Sequence, residues 1–146
     1  MSTDVIALWH KRARPEPTDR DFNIQLGCHM EEFAEMLDEI ESDDPNTFNA
    51  LCVLRLLVSR MADQLKSGAS EVYIESDVGF LDSLADQVVT AIGVGHCAGM
   101  DMVGAVDEVN RSNWSKFDKL GQPILDDNGK IKKGPDYVKA NLEKFV

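Results

Sequence analysis

Paired cysteines, clustered histidines, basic runs and a phosphate-cradling loop are all missing from this chain, and each gap removes a class of function. Cysteine occurs only at Cys28, Cys52 and Cys97, widely separated and without a C-x-x-C pair. That usage suggests reduced thiols in a cytoplasmic compartment rather than a disulfide framework. The three histidines are scattered, so no His-rich or Cys-rich ligand set supports a zinc site. Lys and Arg number 15 against 26 Asp and Glu, for a net charge of −11. Binding to a nucleic-acid backbone depends on cations that neutralise phosphates, so a nucleic-acid partner is not expected. The segment "GVGHCAG" lacks the following Lys-Ser/Thr of a phosphate loop. The N-terminal "MSTDVIALWHKR" lacks the long apolar run of a signal peptide or membrane span, so the expectation is a cytoplasmic protein with no membrane partner.

What remains is an ordinary globular composition, with 43% apolar and 28% charged residues in 146 positions. This length predicts one domain over 1–146, with a core at about 20–119 and an irregular tail over 120–146. The fold class expected is all-α. A short helix is predicted over Asp4–Arg12, broken by "RPEPTD". Asp19 or Asp21 then caps a helix to about Glu41, with Leu26, Met30, Phe33, Leu37 and Ile40 on one stripe. A second long helix spans about Asn46–Lys66, with Pro45 in its first turn and Ser67-Gly68 at its end. "ASEVYIES" is ambiguous between a helical turn and an extended piece.

The stretch from Asp77 to Ala98 has the β-branched residues and glycines of a buried strand. Its length and the helical spacing of Leu81, Leu84, Ala85, Val88 and Ile92 favour a helix, apolar nearly all round and therefore expected to be buried. Asp101 caps a fourth main helix over Met102–Phe117. The tail alternates turn formers with short apolar pairs and allows a small hairpin at "DDNG".

The chemistry starts at "HMEEFAEMLDEI". On a helical wheel Glu31, Glu32, Glu35, Asp38 and Glu39 fall opposite the Leu26/Met30/Phe33 stripe, which by itself describes a solvated acidic face. Asp82 and Asp86, four apart on an otherwise apolar helix, add a second pair on one face. Unpaired carboxylates on a buried helix are costly, and cations are scarce in the nearby sequence, although Arg55 and Arg60 could contribute. Glu32 and Glu35 from one helix with Asp82 and Asp86 from the other make an all-oxygen set suited to Mg²⁺, or to Mn²⁺. Mg²⁺ keeps positions open for water and phosphate, which points toward phosphoryl chemistry.

At these residues the chain resembles the all-α NTP pyrophosphohydrolases, the MazG-like superfamily that includes phosphoribosyl-ATP pyrophosphohydrolases and dimeric dUTPases. "EEFAE" matches the family's helical E-E-x-x-E at Glu31, Glu32 and Glu35. "DSLADQVV" supplies Asp86 of the second acidic motif; Ser83 stands where the family has Glu, and Asp82 would supply that carboxylate, as in phage-type members. "GMDMVGAVDEVNRSNWSKF" and "DDNGKIKKGPDY" resemble the C-terminal part of phage and bacterial members. The resemblance implies a MazG-like bundle of four main helices that hydrolyses a nucleoside triphosphate to monophosphate and pyrophosphate. It also implies that Glu32, Glu35, Asp82 and Asp86 hold Mg²⁺, that Glu31 and Glu35 belong to the catalytic set, and that Glu31 or an acidic neighbour orients or deprotonates the attacking water. Asn110, Arg111, Asn113 and Lys116 would contact phosphate oxygens, with Lys130, Lys132 and Lys133 closing over the site. A homodimer or homotetramer is implied as well, since the family builds its sites at such helix packings.

Two other readings stand beside this one. The first is a hydrolase of another pyrophosphate-linked substrate such as phosphoribosyl-ATP. The second is a non-catalytic helical protein whose acidic face docks a basic partner. His29 and His96 read as packing or surface residues, Trp114 as core or interface more than a base-stacking platform, and "DDNGK" as a turn more than a calcium loop.

Overall fold

The computed structural model describes residues 2–127 and 129–146, and five α-helices order the chain: α1 (Ser2–Ala13), α2 (Asp19–Asp38), α3 (Pro45–Ser67), α4 (Asp77–Cys97) and α5 (Met102–Trp114). A 3₁₀ turn at Glu143–Phe145 follows near the end, and no strand is present among the described residues, so the fold is all-α. The chain divides into two compact units. One comprises Glu16–Val72 with Asp127–Lys130; the other comprises Met1–Pro15, Tyr73–Asp126 and Ile131–Val146.

The first unit is an antiparallel pair of long helices, α2 and α3. The start of α2 is closed by Thr18, whose hydroxyl accepts from the Asp21 N–H while the Asp21 carboxylate accepts from the Thr18 N–H. Asp21 therefore answers the cap instead of being it, the reciprocal arrangement of a capping box. Asp44 caps α3 ahead of Pro45, and Gly68 ends it in the left-handed region at φ 81°. Arg20 donates to the carbonyls of Leu65, which also accepts from the Gly68 N–H, and of Lys66, in the last turn of α3.

The packed stripe of α2 differs from the expected one. Ile24, Gly27, Ala34 and Leu37 are buried, whereas Phe33 and Ile40 are exposed. Gly27 sets this rotation. A Cβ there would lie 2.9 Å from the Ala62 carbonyl oxygen and 2.9 Å from Lys66 Cγ, so its absence lets α3 come close. The stripe passes through position 31, and Glu31 consequently turns toward α3 and away from the solvated acidic face on which the wheel placed it. Asn23, buried at the same end, spends its amide on the Asp19 and Val72 carbonyls and accepts from the Val72 N–H at 2.8 Å. That clamp holds Val72, in a stretch that forms neither helix nor strand, against α2.

The second unit is built where α1 crosses α5. Trp9, Ala13 and Phe117 form its core, with Trp114 and Ile131 packed against them. Trp9 and Phe117 stack at 5.6 Å between ring centroids, and the Trp9 indole N–H donates to the Asn113 carbonyl at 2.9 Å. The core reading of Trp114 holds: it meets Phe117 edge-on at 5.4 Å. Asp101 caps α5 as expected, accepting from Gly104 N–H. The tail is tied down along α5, because Val138 N–H donates to Ser115 Oγ, Asn141 N–H to Glu108, and Asp101 N–H to the Phe145 carbonyl. An antiparallel bridge between Leu125 and Ile131 flanks the expected "DDNG" hairpin; Asn128 itself lies outside the described residues.

One expectation is overturned. α4 is a helix, but it is not buried: along it only Phe80 and Leu84, which are half-buried, and Gly95, which is buried, are not exposed. Gly95 alone is enclosed, against the Met102 side chain, the close contact that small residues in "GVGHCAG" permit. Apolar composition all round a helix demands a cover, and within the described residues the chain does not supply one. By length and composition α4 would also suffice to cross a membrane.

Candidate functional site

The acidic motif rides on the second half of α2, in two environments. Glu31 is part-buried between two cations: Lys66 Nζ donates to Oε1 at 2.7 Å and Lys130 Nζ to Oε2 at 3.0 Å. Partial burial works to raise the Glu31 pKa, but the hydrogen bonds from Lys66 and Lys130 outweigh it and hold the carboxyl below its usual range. Burial works to lower Lys66, and the Glu31 contact more than offsets it. One turn before, burial pushes the Cys28 thiol up; Cys28, Cys52 and Cys97 are all free. Lys66 was not singled out from sequence, because its partner lies 35 positions away and only the α2–α3 register connects them.

The pair makes a pH prediction. Because Glu31's folded pKa lies below its unfolded value, the pair's stabilisation is present above the unfolded carboxylate pKa and is lost as pH falls through the folded one. In Lys66→Met, the Glu31 carboxyl resonance in ¹³C-detected NMR titrates at higher pH than in the parent. An unchanged midpoint would show that the pair does not persist in solution.

Glu32 and Glu35 are exposed, as are Asp82 and Asp86 on the first half of α4. Among the described residues none of these four joins an ion pair, whereas Asp38, on the same helix as the glutamates, is held by Arg55. Glu31, Glu32 and Glu35 belong to the first unit; Asp82 and Asp86 belong to the second. The donor chemistry suits a hard divalent cation, being carboxylate oxygen throughout. Among the described residues, however, no three His, Cys, Asp or Glu side chains gather closely enough to hold a metal ion.

The expected phosphate-contacting residues sit at the end of α5 and in the tail, with unequal freedom. Asn110 is buried. Arg111 makes a two-pronged contact with Glu108, 2.8 Å on each arm, and reaches the Lys139 carbonyl at 3.3 Å. The Arg111 hydrogen bonds, then the Asn141 N–H, hold Glu108 down at about 2. Asn113 receives Trp9 through its backbone, and Lys116 Nζ lies 6.0 Å from the centre of the Trp9 ring. Lys133 Nζ sits over Tyr137 at 4.9 Å. A hydrogen bond with buried Ser112 holds the Tyr137 phenol below its ordinary range despite some desolvation, with Lys133 and Lys116 adding in the same sense. Lys116 and Lys133 thus share a neighbourhood around a tyrosine that sequence reading passed over. The other tail lysines part ways: Lys130 reaches α2, and Lys132 joins the turn through its N–H to the Ile124 carbonyl. Compared with models of protein families, with curated proteins and with solved structures, the chain matches none.

Proposed function

We propose that the chain is a Mg²⁺-dependent nucleoside triphosphate pyrophosphohydrolase that releases nucleoside monophosphate and pyrophosphate, within a MazG-like helical arrangement. The observation that carries this reading is the uneven treatment of its acids. On α2 the protein neutralises Glu31 and Asp38 with its own cations and, among the described residues, leaves Glu32 and Glu35 exposed and without an ion pair, in the E-E-x-x-E spacing. α4 repeats the pattern with Asp82 and Asp86. Carboxylates that the chain does not pair are the ones open to an external cation.

In this reading Glu32, Glu35, Asp82 and Asp86 are the metal ligands. Mg²⁺ would supply charge neutralisation for the triphosphate and polarisation at phosphorus. Glu31, kept ionised by Lys66 and Lys130, is suited to accept a hydrogen bond from the attacking water. Lys116 and Lys133, neighbours around Tyr137, are suited to phosphate oxygens with Asn113 beside them, while Asn110 and Arg111 brace that end of α5.

A panel of nucleoside triphosphates and phosphoribosyl-ATP, with pyrophosphate detection and with or without EDTA, tests the proposal. The expected result is pyrophosphate release from at least one nucleoside triphosphate, abolished by EDTA and restored by Mg²⁺ or Mn²⁺. Turnover of phosphoribosyl-ATP alone moves the assignment to that substrate. No turnover anywhere on the panel rejects the enzyme reading.

A further inference from the structure

The tail brings lysines to one tyrosine at the end of α5. Gly134 backs onto Lys116: a Cβ there would lie 3.2 Å from the Lys116 carbonyl oxygen and 2.7 Å from Ile124 Cδ1, so its absence lets the chain pass this close. The chain then reverses through Pro135 and Asp136, and the Tyr137 N–H donates to the Gly134 carbonyl at 3.2 Å. Val138 N–H fastens the turn to Ser115 Oγ at 2.8 Å. Tyr137, half-buried, is thereby set against Ser112, which is 4% exposed, with Lys133 Nζ 4.9 Å from the centre of its ring. Lys116 and Lys139 add positive charge around the same phenol. Asp136 is the acid of the turn, and the chain as a whole carries −11, yet Lys133 and Lys139 join no ion pair among the described residues.

We propose that Tyr137 recognises a diphosphate group, its phenol donating a hydrogen bond to a phosphate oxygen of an anion that Lys116 and Lys133 hold by charge. The inference rests on the phosphate role given above to the two lysines and adds the residue that reads the group. Two ammoniums are separate point charges with three donors each, and a diphosphate offers oxygens on two phosphorus atoms to meet them. A helix C-terminus ordinarily repels an anion, through carbonyls left without donors. The end of α5 has none left over. Ser115 N–H serves the Arg111 and Ser112 carbonyls, Lys116 N–H and the Trp9 indole serve Asn113, and Phe117 N–H serves Trp114. The hydrogen bond from Ser112 favours the ionised phenol, as a bond donated to its oxygen does, so the phenol keeps its own O–H to give away.

Isothermal titration with inorganic pyrophosphate in EDTA reads the cradle without metal or turnover. The parent should bind, and Tyr137→Phe and Lys133→Gln should each weaken binding at least ~10-fold with helical circular dichroism unchanged, the scale of one lost charge-assisted hydrogen bond. Lys119→Gln removes the same charge from an exposed position outside the cradle and should change affinity less than about twofold. Orthophosphate, with a single phosphorus, should bind at least ~10-fold more weakly than pyrophosphate. Titration of the two tyrosines by ultraviolet absorbance adds a readout that packing alone would not move: pyrophosphate should raise the Tyr137 midpoint by offsetting its lysines and leave Tyr73, 89% exposed, where it was. Absent binding, equal losses in Lys119→Gln and Lys133→Gln, full affinity in Tyr137→Phe, or an unmoved Tyr137 midpoint would each overturn the inference. Pyrophosphate binding that depends on Tyr137, in a protein that turns over no nucleotide, rejects the enzyme and keeps the cradle. Metal-dependent turnover with full pyrophosphate affinity in Tyr137→Phe does the reverse.

Discussion

Glu35→Gln is expected to lower Mg²⁺-dependent pyrophosphate release by roughly 100-fold or more, the scale on which metal sites lose activity when their ligand sphere is disturbed. Glu35 is exposed and joins no ion pair among the described residues, so the substitution removes one negative charge and nothing the helix needs to fold. The proposed role demands that charge. A carboxylate ligand offsets a divalent cation, while an amide offers one neutral oxygen at the same place. Glu39→Gln is the matched control, an exposed acid at the end of the same helix and outside the proposed set. It should leave turnover within a factor of about two, as expected for a surface carboxylate remote from the metal. Equal losses in the two variants would mean that the acidic face acts only through its total charge, as the docking-surface reading of α2 requires. Isothermal titration with Mg²⁺ and a non-hydrolysable triphosphate adds a binding arm, in which metal-dependent heat vanishes with Glu35→Gln and survives with Glu39→Gln.

Leu65→Ala should be the costliest truncation in the α2–α3 unit, at about 3 kcal/mol, within the range for buried leucines. Leu65 is 0% exposed, and no other large side chain among the described residues is so fully enclosed. Its Cβ would lie 3.2 Å from a Cβ added at Gly27, so it fills the place where the two helices come closest. Alanine would leave a void that the glycine opposite has no atoms to fill. The measurement must follow helical circular dichroism against urea. Trp9 and Trp114, like Tyr73 and Tyr137, belong to the other unit, so tryptophan emission reports on that one. A cost below about 1 kcal/mol would show a site able to collapse, contradicting the close packing at Gly27.

The local code was readable wherever a signal and its consequence lie within one or two helical turns. Pro45 and Gly68 bracket α3, Asp101 caps α5, and the apolar periodicities of all the long helices were present before any fold was known. The start of α2 is instructive: Asp19 and Asp21 advertise a helix start, yet Thr18 occupies the cap, because its hydroxyl accepts from the Asp21 N–H while the Asp21 carboxylate accepts from the Thr18 N–H, so that the two side chains together satisfy two backbone donors. E-E-x-x-E and the Asp82/Asp86 pair were equally plain, since i, i+3 and i, i+4 spacing alone puts side chains on one face.

Chain order by itself determined the helical class, the positions of the helices and the residues able to act as hard ligands. Only tertiary structure decided which face of each helix is covered. A wheel ranks faces by hydrophobicity, whereas packing follows shape, and the missing Cβ of Gly27 drew α3 onto a stripe that contains Glu31. The same physics explains α4, whose apolar residues call for a cover without naming it. Burial is a property of a surface and its partner together, and a sequence records only one of the two.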